Sequence, residues 1–76
     1  MTRRFHLTFP GHLAGEPVLF LVGKEAGVTP NIRRASVEEG GAWMIVELDG
    51  GNEKISDAVA RLTDRGVVVR RVDEDE

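Results

Sequence analysis

The stretch Ala42–Val72, AWMIVELDGGNEKISDAVARLTDRGVVVRRV, contains strand, turn, helix, cap and strand in succession. Met44, Val46 and Leu48 alternate with Trp43, Ile45 and Glu47, and that period of two predicts a strand over 42–48 with two distinct faces. Asp49-Gly50-Gly51 predicts a turn, and Asn52 is a good N-cap residue for a helix. Ile55, Ala58, Val59 and Leu62 then follow helical spacing, with Arg61 and Arg65 near the end, where cations suit the helix dipole. Gly66 ends the helix, and the β-branched run Val67-Val68-Val69-Arg70-Arg71-Val72 predicts the last strand.

The residues ahead of this stretch repeat the order. Phe5, Leu7 and Phe9 alternate with Arg4, His6 and Thr8, predicting a strand over 3–9 that Pro10-Gly11 stops. Pro17 suits the first turn of a helix. Val18, Leu19, Leu21, Val22 and Ala26 form its apolar face, Phe20 widens it, and Gly27 is placed as its C-terminal cap. Residues 28–39 predict a second strand, with Pro30 marking an edge position or an irregular start, and Glu38-Glu39-Gly40-Gly41 predicts a hairpin turn. The order βαββαβ gives an α+β, ferredoxin-like sandwich: a four-stranded, mostly antiparallel sheet with two helices on one face.

Seventy-six residues make one small domain, taken as residues 1–72, and 73–76 read as an acidic C-terminal tail. Asp73-Glu74-Asp75-Glu76 account for four of the thirteen acidic side chains, so the body ahead of them, with ten Lys and Arg, is near neutral despite the overall charge of −3. A near-neutral body exerts no general pull on nucleic acid. The longest apolar run, Pro17 to Val22, is too short to span a bilayer, which argues against direct membrane insertion. The start lacks the basic-then-apolar form of a signal peptide, and with no cysteine the expected compartment is cytoplasmic.

The same absence of cysteine excludes a thiolate nucleophile and a cysteine-ligated metal. His6 and His12 match no metal spacing, and Ser36 and Ser56 have no positioned base. The loop Pro10-Gly11-His12-Leu13-Ala14-Gly15 lacks the arginine that an acylphosphatase of this topology needs. No catalytic residue, metal or cofactor is expected, and the protein is expected to be non-enzymatic. If Phe5, Leu7 and Phe9 face the helices, then Arg4, His6, Trp43 and Ile45 lie on the open sheet face, and an apolar strip there predicts an interface, through which a homodimer forms by sheet face or edge. Of the aromatic residues only Trp43 falls on that face; Phe5 and Phe9 fall on the core side, so nucleic acid is not an expected partner.

From Phe5 through Val72 the chain resembles the NIL domain, a family found at the C-terminus of methionine-importer ATPase subunits and beside some ferredoxin modules. The resemblance is carried by Leu7-Thr8-Phe9-Pro10-Gly11, by Glu16-Pro17, by Val28-Thr29-Pro30-Asn31-Ile32-Arg33, and by the glycine-flanked strand Gly41–Gly50 with the helix and strand after it. The family's Asn-Ile-Leu falls on Asn31, Ile32 and Arg33, so the third position departs from the pattern. The resemblance implies an ACT-like fold and binding of a small amino acid, methionine in the family precedent, at or near an interface between two copies. On that basis Asn31 pairs the ligand's carboxylate or amino group, Ile32 and Phe9 wall its side chain, and Gly11 and His12 belong to the assisting loop. Two functions follow: a non-catalytic regulatory module for a methionine-like amino acid, acting as a dimer, or a ligand-free subunit that docks on a methionine-transport or sulfur-metabolism protein.

Overall fold

The computed structural model describes residues 1–13 and 15–72; the acidic tail lies outside them. Six elements follow in the order β1 (Thr2–Pro10), α1 (Gly15–Ala26), β2 (Thr29–Glu38), β3 (Gly41–Asp49), α2 (Asn52–Asp64) and β4 (Val68–Val72). The sheet order is β2-β3-β1-β4, and every neighbouring pair is antiparallel. The predicted ferredoxin-like α+β sandwich is the observed one.

The period-two strands sort their side chains as the alternation demands. Phe5, Leu7 and Phe9 of β1 and Met44, Val46 and Leu48 of β3 meet Leu19, Val22 and Ala26 of α1 and Ile55, Ala58 and Leu62 of α2 in one core. Leu7, Val46, Ala58 and Leu62 are wholly inaccessible to solvent. Truncating one of the large members, such as Phe9, to alanine costs about 3–5 kcal/mol, the usual range for a buried aromatic. Gly66, at φ +94°, closes α2: its N–H donates to the Thr63 carbonyl and the Val67 N–H to that of Leu62, which turns the chain into β4.

Three local expectations change. The N-cap of α2 is Gly51, with no side-chain hydrogen bond, and Asn52 is already the first helical residue. Phe20 and Leu21 do not complete the buried face of α1; each is about half exposed. In β2, Ile32 pairs with Val46 and Arg34 with Ile45, so Arg33 is an extra residue in a β-bulge. The bulge breaks the alternation that the arginine pair otherwise obeys.

Candidate functional site

The loop after β1, the first turn of α1 and the β2–β3 hairpin enclose a cavity of about 500 Å³ on the helix side of the sheet. Ile32, Ala35 and Val37 of β2 and Ala42 and Met44 of β3 form one wall, and Leu13, Gly15 and Pro17 the other. Among the described residues, Glu16 and Glu38 are the charged ones in its lining. Glycines let the backbone close around it. Gly41 packs so near β1 that a Cβ there would lie 2.6 Å from the Phe9 carbonyl oxygen, and one on Gly15 would lie 2.9 Å from the Met44 methyl carbon. Pairing of Pro10 with Gly41 explains that approach.

The five residues expected to share a ligand site are divided by the fold. Ile32 and Gly11 line the cavity. Phe9 sits behind it, 1% exposed, as part of the core. His12 is exposed in the turn after β1 and is not in the lining. Asn31 precedes Ile32, so strand alternation sends it to the opposite sheet face, where its register partner is Glu47. In a single copy of the chain, Asn31 and Ile32 therefore lie on opposite faces of the edge strand β2. Gly15, Pro17, Val37 and Met44 were missed in the sequence because they meet only through the pairing of the hairpin with β1.

The open face is built from three rows. Asn31, Glu47, Arg4 and Val72 form one; Arg34, Ile45, His6 and Arg70 the next; Ser36, Trp43, Thr8 and Val68 the third. The imidazole of His6 stacks on the Trp43 indole, with centroids 5.5 Å apart and planes 15° from parallel. From the other flanking strand, the Arg34 guanidinium carbon lies 5.9 Å from the indole centroid, a cation–π contact. Ile45 is only 4% exposed although no helix covers this face. This corrects the expected apolar strip: Ile45 is buried, and Trp43 is partly covered.

Arg4 holds Glu47 at 2.7 Å. Its hydrogen bond lowers the carboxyl below the ordinary carboxylate range, opposed by desolvation and assisted by the charges of Arg33 and Arg4. A smaller cavity of about 300 Å³ lies on the helix side between Arg3, Arg71, Phe5 and the first two turns of α2. Among the described residues no cluster of three or more metal-ligating side chains occurs. No helix there is long and apolar enough to cross a membrane.

The NIL domain family model matches residues 3–71, and the chain belongs to that family. Among solved structures, the C-terminal domain of an ABC transporter ATP-binding protein from Enterococcus faecalis superposes with a TM-score of 0.81 at 19% identity, over 96% of this chain and 86% of that one. A prephenate dehydratase from Streptococcus mutans gives 0.65 at 19% identity over 92% of this chain, and a formyltetrahydrofolate deformylase from Pseudomonas putida KT2440 gives 0.64 at 12% over 97%. The chain spans only 40% and 29% of those two proteins. At these identities the three share the fold. No curated protein matches the chain.

Proposed function

We propose that this NIL domain is a non-catalytic regulatory module that binds a small amino acid with a methionine-like side chain and acts as a dimer. The observation that carries the reading is the cavity between α1 and β2, whose volume and apolar walls suit a short flexible side chain. Family membership and the transporter ATPase domain that shares the fold support the regulatory role. The dimer is assigned to the β2 edge rather than to the open face. Val37 is 85% exposed on that edge, and Phe20 and Leu21 add half-exposed apolar surface on α1. A copy of the open face laid on itself would bring its arginines together.

The test is a melting series with L-methionine and its shorter and longer homologues, followed by calorimetric titration. At a hundredfold excess over Kd, ligand binding adds about 2.7 kcal/mol and raises Tm on the order of 10 °C in a domain of this size. Ala35→Phe fills the cavity from its exposed β2 wall. The expected result is loss of the ligand response with the ligand-free Tm nearly unchanged. Asn31→Ala is expected to retain the response, and its loss would move the ligand to the other side of β2. Absence of any response to amino acids favours the ligand-free docking subunit.

A further inference from the structure

The cavity between α1 and the β2–β3 hairpin carries charge of one sign. Glu16 stands on its helix wall, in the first turn of α1, and Glu38 on its strand wall, at the end of β2. Both are exposed, and among the described residues no hydrogen bond or ion pair engages either carboxylate. No lysine, arginine or histidine occurs in the described lining. Lys24, in the last turn of α1, comes eight residues after Glu16, which is roughly 12 Å along the helix axis. Arg34 is committed to the other face of the sheet, over Trp43. The positive end of the α1 dipole would attract an anion, but it holds Glu16 in its own first turn, and Pro17 brings no N–H there.

We infer that this cavity selects its ligand by a cationic amino group beside an apolar side chain, and binds it best when the adjoining carboxyl is uncharged, as in an amino-acid amide or the first residue of a peptide. The inference rests on the cavity being the ligand site, as proposed above, and narrows the class of ligand. A free amino acid is a zwitterion. Its ammonium group meets two carboxylates without partners, and its apolar side chain meets Ile32, Ala42 and Met44. Its own carboxylate, joined to the same α-carbon, brings a like charge to a mouth with no cation in the lining to answer it. Through water, two like charges roughly 6 Å apart weaken binding about threefold. Converting the carboxylate to an amide removes that repulsion and keeps both favourable contacts. An N-acylated amino acid keeps only the repelled group.

Calorimetric titration of the full chain compares L-methionine, L-methioninamide, Met-Gly-Gly and N-acetyl-L-methionine. Low salt preserves the charge effects, and a pH of about 6.5 keeps the α-amino groups mainly protonated. The amide and the tripeptide are expected to bind several-fold tighter than methionine, and N-acetylmethionine not at all. The margin is expected to shrink as salt is raised. Glu38→Gln, at an exposed position, is expected to narrow the ratio of amide to methionine affinity with the ligand-free Tm unchanged; a merely structural role would lower Tm and weaken both ligands alike. Binding of the tripeptide extends the class to a polypeptide N-terminus, and binding of the amide alone confines it to small molecules. Methionine binding as tightly as its amide, N-acetylmethionine binding as tightly as methionine, or an unchanged ratio in Glu38→Gln overturns the inference and leaves the cavity as a ligand site. Absence of binding by all four overturns both.

Discussion

At the scale of single residues, the strictest requirement is at Gly41. A methyl group there meets the backbone oxygen of Phe9, which has no freedom to swing aside. Gly41→Ala is expected to lower stability by about 1–3 kcal/mol, read as a fall in Tm by calorimetry. Ile45→Ala gives a second measurement. Ile45 belongs to the face without helices, yet its burial places its cost in the core range of about 2–5 kcal/mol, whereas an exposed side chain on that face would cost a fraction of this. Glu47 supplies the acid dependence. Its folded pKa is depressed, so its pairing with Arg4 stabilises above the unfolded carboxyl value and is lost as pH falls through the folded one. Denaturant unfolding from pH 7 to 3 is therefore expected to show a smaller acid loss in Arg4→Met than in the parent chain.

At the scale of elements, the order βαββαβ and the core faces of β1 and β3 are legible in the sequence because two alternating strands and one clean helical stripe require only local periodicity. Phe5, Leu7, Phe9, Met44, Val46 and Leu48 all lie where that periodicity puts them. What is not legible is anything that depends on pairing. The β2 bulge is one such feature: no residue type in Asn31-Ile32-Arg33-Arg34 announces an extra residue, and it is fixed by how β2 aligns with β3. The N-terminus of α2 is another, since an asparagine well suited to capping was placed one position late behind two glycines. The division of the expected ligand site has the same origin, for neighbours in a strand are opposite in space. The contact between α1 and α2 is reinforced by Glu25, which accepts hydrogen bonds from Arg61 and Arg65 at 3.2 and 2.9 Å. These groups are accessible to water, so Glu25→Gln is expected to produce a small fall in Tm that added salt erases.

At the scale of the molecule, the sheet separates two kinds of surface. The helix side carries an apolar cavity with a carboxylate rim, and the open side carries rings and guanidinium groups. The β2 edge runs between them with Val37 exposed, and a charge placed there tests association. Val37→Lys is expected to shift sedimentation velocity toward the monomer without altering far-ultraviolet circular dichroism; an unchanged sedimentation coefficient would remove the edge from the dimer.

The bulge at Arg33 also acts as a phase slip. Take away that one residue and the ladder closes without any change of side: Ile32 keeps Val46 and Arg34 keeps Ile45, so Ala35 and Val37 still turn toward the helices while Arg34 and Ser36 stay out. A single-codon deletion would thus straighten the edge strand and leave the greasy lining of the hollow untouched. The inserted residue is absorbed by the pairing of β2 with β3, which is why Ile32, Ala35 and Val37 share a wall that their spacing along the chain would otherwise divide.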